Sequence, residues 1–348
     1  MEITAVITVD AAASQTAPGR PIPGLTALEQ VANKPILYHA LDALRAAGVE
    51  NLIIAGDADP LIDLRSSLHE YWPETSGIQY AVRREGVSLT STLKAISPLL
   101  GDAACLMQPA DGLLTTPVPQ LAGVLDAECA DLVLFAVGDG QEDELARHRD
   151  GARANALAIA HAVPELGLFA PGVIERLAIL PEAEAAELSA AGQRLSEQGA
   201  TVRIHRIDGW HRYRGQGGDL LELNRIVLDR LKPIEPRSLS RSNRLEGRLS
   251  IDPSALVCDS VIIGPTVIGP DAIIRDAYIG PYTSVGAGAR IEGVEIERSI
   301  VAAGASVTHV GVRLVSSLVG RNARVFRDFS LPRAVRLWVG DGDEVALC

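Results

Sequence analysis

The chain has 348 residues, 47% hydrophobic and 22% charged, with 32 basic against 44 acidic side chains and a net charge of −12. That length can carry two domains with cores of their own; the aliphatic content excludes a disordered chain, and the acidity excludes a general DNA or RNA binder, which needs a basic face. Only three basic residues are lysines (Lys34, Lys94 and Lys232), so any chemistry needing several ammonium groups must draw on those three. Ile3–Val9 is an apolar, β-branched run that predicts a buried strand, followed by an Ala/Pro/Gly-rich loop to Gly24. The spacing of Ile36, Leu37, Ala40, Leu41 and Leu44 predicts a helix over 35–47, stopped by Gly48. Strands are predicted at 51–55, 78–82 and 103–108, and helices at 60–71 and 91–100. Alternation of this kind predicts a mainly parallel sheet covered on both faces. Its ligand side lies beyond the strand ends, near Asp10, Ala55–Asp57, Arg83–Glu85 and Asp111.

Further along, a helix is expected over 182–200, a strand over 201–207 and a helix over 219–231. Residues 203–248 hold eleven Lys/Arg against six Asp/Glu, either a solvated linker and helix face or a stripe facing phosphate or a partner. After Pro236 aliphatic residues recur every five or six positions: Ile251, Val257, Ile263, Ile268, Ile274, Ile279, Val285, Ile291, Ile296, Val301, Val307, Val312 and Leu318. Ile251, Ile268 and Val285 are each 17 apart, as are Val257, Ile274 and Ile291. Such a period predicts a parallel β-helix of about four turns, three short faces per turn, with aliphatic ladders inside. The expected division is an α/β domain over 1–235, a linker over 236–250, and the β-helix with a tail over 251–348. Cys105, Cys129, Cys258 and Cys348 have no metal spacing and read as free thiols of a reducing compartment. No basic segment precedes an apolar run at the start, and no apolar stretch reaches membrane-helix length, so a cytoplasmic location is expected.

Several motifs carry a resemblance. They are Val31-Ala32-Asn33-Lys34-Pro35-Ile36-Leu37 with Gly48-Val49 before a strand; Gly209-Trp210, Gly215 and the block Asp219-Leu-Leu-Glu-Leu-Asn-Arg225; and, at the end of the β-helix, Ser317-Leu-Val-Gly-Arg321 and Leu337-Trp-Val-Gly-Asp341. Together they resemble the sugar-1-phosphate nucleotidyltransferases of the long bacterial glucose-1-phosphate thymidylyltransferase type, over nearly the whole chain. The resemblance implies a Rossmann-like nucleotidyltransferase domain with a mainly parallel sheet, followed by a left-handed parallel β-helix. It also implies joining of a sugar 1-phosphate to a nucleoside triphosphate, with a Gly-rich loop for the triphosphate and Mg²⁺ on two carboxylates.

The chain departs from that pattern where the chemistry sits. The loop over Thr8–Thr26 reads Val9-Asp10-Ala11-Ala12-Ala13 and has no glycine before Gly19, so alanine methyls obstruct close backbone approach to phosphates. The family's first lysine falls near Thr26, its base-reading glutamine at Arg83, and its following P-L-G at Gly86-Val87-Ser88. Its E-K-P segment is missing between Ala136 and Leu168, and in the E-I-T-D segment Glu187 remains while the aspartate is Ala190. Of the metal pair Asp111 remains and the aspartate of W-x-x-D-T-G is Tyr213, a poor Mg²⁺ site. The expectation is therefore loss of nucleotidyl transfer and a cleft repurposed for acid/base chemistry on an anionic or carbonyl-bearing small molecule. Asp111, Tyr213, Glu85 and His211 are the candidate catalytic residues, with Arg83, Arg84, Ser88, Arg212, Arg214 and Glu187 binding substrate. Asp111 reads equally as a cap or turn residue, and His211 as a surface histidine. The alternatives are a non-catalytic regulatory or scaffold subunit beside an active paralogue, and residual sugar-phosphate nucleotidyl transfer. No cofactor or metal is expected, Mg²⁺ entering only if transfer is retained. The expected partners are a small molecule or sugar nucleotide and further copies of the chain, with no nucleic acid and no membrane.

Overall fold

The computed structural model describes residues 2–9, 26–71, 77–83, 88–137, 164–232 and 242–328. These fall into two compact units. The first holds 2–9, 26–29 and the described residues of 36–213; the second holds 30–35 and those from 214 onward.

The first unit is built on a seven-stranded sheet. Its strands are β1 (Ile3–Val9), β4 (Asn51–Gly56), β5 (Ile78–Val82), β6 (Ala104–Pro109), β8 (Leu132–Val137), β9 (Pro164–Phe169) and β10 (Val202–Ile207), in the order β10-β8-β9-β6-β1-β4-β5. All pairings are parallel except those of β9, which runs antiparallel to β6 and β8. β1 is apolar on both faces because both are covered: Ala5, Ile7 and Val9 join one core layer and Val6 the other. The helices covering the sheet are α1 (Ile36–Ala46), α2 (Ala58–Tyr71), α3 (Leu89–Leu100), α4 (Val118–Ala127), α5 (Val173–Ala178) and α6 (Leu188–Glu197). α1 buries Ile36, Leu37, Ala40, Leu41 and Leu44, the face the sequence predicts, and Gly48 ends it with φ 82°. The helix expected over 182–200 divides into a short 3₁₀ turn (Glu182–Glu184) and α6, because Glu187 adopts an extended N-cap conformation at φ −131°, ψ 163°. A small antiparallel pair, β7 (Gly112–Leu114) with β11 (Trp210–Arg212), completes the unit.

The second unit contains three five-stranded parallel sheets, whose first strands are β12 (Arg244–Glu246), β13 (Leu249–Ile251) and β14 (Leu256–Cys258). It is a left-handed parallel β-helix of five coils rather than about four, since 244–250, placed by sequence in a linker, already pair in the first coil. Two ladders run as the period implies, Ile251-Ile268-Val285-Val301-Val319 and Val257-Ile274-Ile291-Val307. The third is Ile262-Ile279-Ile296-Leu314, so Ile262 replaces Ile263 inside. Val312 and Leu318 also lie outside, 62% and 43% exposed. The coil step changes from 17 to 16 after Ile279 and to 18 after Thr308, which moves the inward positions out of a constant count.

Helix α7 (Gly217–Asp229), expected in the first domain, belongs to the second unit. Buried Asn224 explains this: its Oδ1 accepts from Ser284 Oγ at 2.6 Å and from the Ala32 N–H at 2.8 Å, and its Nδ2 donates to the Tyr282 carbonyl at 3.1 Å. Ala32 and Asn33 (φ 47° and 63°) form the tight turn between β2 (Gln30–Val31) and β3 (Lys34–Pro35), and Asn33 Nδ2 donates to the Val285 carbonyl. The Asn-Lys-Pro segment and the Asp-Leu-Leu…Asn-Arg block therefore anchor one another. In the basic stretch 203–248, Arg203, Arg212, Arg225, Arg244 and Arg248 all sit in ion pairs, as a solvated face would. Cys105, Cys129 and Cys258 are free thiols. Among the described residues no helix is long and apolar enough to cross a membrane.

Candidate functional site

The carboxyl ends of β1, β4, β5 and β6 bring Val9, Gly56, Val82 and Pro109 to one edge of the first unit. Asp111 follows in the turn from β6 into β7. Its position is fixed from β11, because the Tyr213 N–H donates to the Asp111 carbonyl at 2.9 Å and Arg212 lies opposite Gly112. Trp210 holds this pair together. Its ring covers the bare Cα of Gly112 so closely that a Cβ there would collide with it.

On this frame the Asp111 carboxylate is gripped by Arg212. Nε donates to Oδ1 at 2.8 Å and Nη2 approaches Oδ2 at 3.5 Å, while Thr26 Oγ1 donates to Oδ2 at 3.2 Å. The two side chains are 14% and 29% exposed, so water screens the pair only in part. The cavity at this point, lined by Thr8, Thr26, Pro109, Asp111 and Arg212, is about 10 Å³, less than a water needs. Mg²⁺ would need near-octahedral oxygen ligands at about 2.0–2.1 Å. Here a guanidinium nitrogen occupies one carboxylate oxygen, and no cluster of three His, Cys, Asp or Glu able to hold a metal exists among the described residues. The donor set does not fit the ion.

The other sequence candidates are distributed as follows. The Tyr213 side chain is 1% exposed, so it packs as core rather than presenting a phenol to a substrate. Arg83 is drawn inward: Nε donates to Asp57 Oδ1 at 3.2 Å and Nη2 to the Val9 carbonyl at 3.0 Å. With the guanidinium only 2% exposed, Arg83 stitches the ends of β1, β4 and β5 together. Ser88 is the N-cap of α3, its Oγ accepting from the Ser91 N–H at 3.2 Å in a capping box. Glu187 is an exposed N-cap of α6 without a side-chain cap bond. His211 lies on β11 opposite Leu113 and is partly exposed. Arg214 begins the second unit, where its N–H donates to Asp219 at 2.8 Å. Arg84 and Glu85 lie outside the described residues. Asp111 and Arg212 are thus brought together and the rest serve packing, caps or strand ends. Thr26 and the Val9 carbonyl were missed as partners; no sequence signal marks a carbonyl that receives a long-range arginine.

No family model matches the sequence. The chain is 30% identical to a glucose-1-phosphate thymidylyltransferase of Streptomyces antibioticus over 343 residues, covering 94% of this chain and 96% of that one. It is 31% identical to a Streptomyces griseus enzyme of the same name, over 92% and 94% of the two chains. It is also 31% identical to the low-salt glycan biosynthesis nucleotidyltransferase of Haloferax volcanii, over 92% and 93%. A crystal structure from Bacillus anthracis, described as a glucose-1-phosphate thymidylyltransferase with sucrose, shares the fold at TM-score 0.50 and 12% identity, over 64% of this chain and 94% of that chain. With the two-unit architecture, the conserved hairpin and helix blocks and relatives that align end to end, the chain belongs to the sugar-1-phosphate nucleotidyltransferase family, among the glucose-1-phosphate thymidylyltransferases and their kin.

Proposed function

We propose that this family member does not carry out Mg²⁺-dependent nucleotidyl transfer and acts as a non-catalytic subunit beside an active relative. The observation that carries the reading is the Asp111–Arg212 ion pair: the remaining family carboxylate is neutralised by a side chain of the same unit. The partner position of the second carboxylate holds a core tyrosine, Tyr213, so neither half of a metal clamp is left. Loss of one cation stabilising phosphoryl transfer can cost about 10³–10⁵ in rate, and here several groups are replaced together. The β-helix keeps full inward ladders over five coils, which supports a role resting on that unit.

A second reading, acid/base chemistry on an anionic or carbonyl-bearing small molecule, is favoured by one feature. Asp111 and Arg212 retain partial exposure, and an anionic substrate could exchange with Asp111 on the guanidinium, freeing the carboxylate as a base. The test is pyrophosphate release from dTTP or UTP with glucose 1-phosphate and Mg²⁺, with co-purification against an intact thymidylyltransferase from the same genome. Mg²⁺-dependent release of pyrophosphate would sink both readings. Absence of release with formation of a stable mixed oligomer is the expected result.

A further inference from the structure

A second cleft lies on the flank of the first unit, between α2 and the edge strand β5, with a volume of about 630 Å³. It is remote in register from the strand ends that carry Arg83. Ile78 and Tyr80 pair with Leu52 and Ile54, in the first part of the strands. Arg65 and His69 line it from α2, one turn apart on the same helix face, with Ser66 beside them. No carboxylate is among the described residues lining it. The Arg65 guanidinium sits 5.6 Å above the centre of the Tyr80 ring, a contact that engages its face and leaves its N–H edge to other acceptors. The Tyr80 hydroxyl is shielded from solvent and hydrogen-bonds no protein group, although the neighbouring Tyr38 hydroxyl is paired with Ser67 Oγ at 2.6 Å. Burial pushes the Tyr80 phenol upward, against the opposing pull of Arg65, so it stays a protonated donor at neutral pH.

A buried hydroxyl left without a partner is destabilising, and native proteins generally give such a group one. Here the orphan donor lies beneath an arginine edge and an imidazole, in a cleft of the size that small ligands occupy. Three donors converging from a helix and a strand match the three terminal oxygens of a phosphate better than the two of a carboxylate. The ring of Tyr80 and the side chain of Ile78 supply an apolar flank. The geometry points to a phosphate-binding cleft between α2 and β5 that takes the terminal phosphoryl group of a small metabolite. It is independent of the family cleft and of whether nucleotidyl transfer survives.

The test is isothermal calorimetry on the full chain with inorganic phosphate and with pyrophosphate, at constant ionic strength in EDTA, and with malonate as the carboxylate counterpart. Saturable binding of one phosphate or pyrophosphate per chain is expected, weakened about tenfold or more in Arg65→Gln and several-fold in Tyr80→Phe, as loss of charge-assisted and neutral donors predicts. Arg65 is exposed, so its replacement leaves the fold intact, and Arg212→Gln should leave the binding unchanged. No saturable heat at about 10 mM ligand, equal affinity in Arg65→Gln, loss of binding in Arg212→Gln, or a preference for malonate would each overturn the assignment.

Discussion

Replacing Arg212 by methionine isolates the ion pair on which the functional reading rests. The change keeps most of the aliphatic stem and deletes the guanidinium, removing the 2.8 Å bond to Asp111 Oδ1 and the longer approach to Oδ2. Asp111, 14% exposed, is then left with the Thr26 hydroxyl alone. Breaking a fully buried pair from one side costs about 3–5 kcal/mol and an exposed pair about 0–1 kcal/mol. Partners 14% and 29% exposed fall between those limits, which puts Arg212→Met at about 2 kcal/mol and lowers the melting temperature of a unit this size by about 4–8 °C. Asp111→Asn should cost less, because the amide retains a hydrogen bond to Arg212. In a double-mutant cycle by scanning calorimetry, Asp111→Asn and Arg212→Met should couple by about 1–2 kcal/mol. Additive effects within about 0.3 kcal/mol would refute the pair. So would a rise in the wild-type melting temperature with millimolar Mg²⁺, since an ion that binds the folded state raises its stability by mass action.

Gly112→Ala should separate β7 from β11, because the new methyl would strike the Trp210 ring; a lowered melting temperature with altered tryptophan fluorescence is the expected readout. Gln108 is 1% exposed and both its amide atoms lack a partner among the described residues, so Gln108→Met should leave stability unchanged or raise it by about 1–2 kcal/mol; a loss would mean that a bridging water satisfies the amide. Ile279→Ala, at the centre of a stacked ladder and 0% exposed, should cost about 2–5 kcal/mol in denaturant unfolding, whereas Leu256→Ala, 54% exposed, should cost under about 1 kcal/mol. Burial pushes the Cys105 thiol far above the usual range, with Glu175 adding to the effect. A native thiol titration at pH about 8 should therefore modify exposed Cys129 and spare Cys105 until denaturant is added. Hydrogen bonds from the Ser254 hydroxyl and N–H hold the Asp252 carboxyl below its usual range. Its stabilisation is present above the unfolded carboxylate pKa and lost as pH falls through the lower folded value, and Ser254→Ala should move its NMR titration upward.

How far the sequence determines this molecule can be read residue by residue. β1, α1 and the Ile251 and Val257 ladders follow from periodicity alone, because burial on a strand, helix or coil face repeats at a fixed count. The third ladder fails that count where the coil lengthens and shortens, since a constant step cannot register a turn that gains or loses a residue. The placement of α7 fails for a different reason. Its helical pattern is plain, but its owner is chosen by Asn224, and a buried amide that satisfies Ala32, Ser284 and Tyr282 is visible only once all three have been brought beside it. The site combines both kinds of case. Asp111 and Tyr213 are recognisable by their alignment with family motifs, yet the residue that decides the chemistry is Arg212, one position earlier. On an antiparallel pair, neighbouring residues point to opposite faces, so the side chain at 212 reaches Asp111 while that at 213 enters the core. Exchange of an aspartate for tyrosine thus did more than delete a ligand. It filled the core side of the strand, and the arginine beside it supplied the positive charge that the carboxylate would otherwise have taken from a metal.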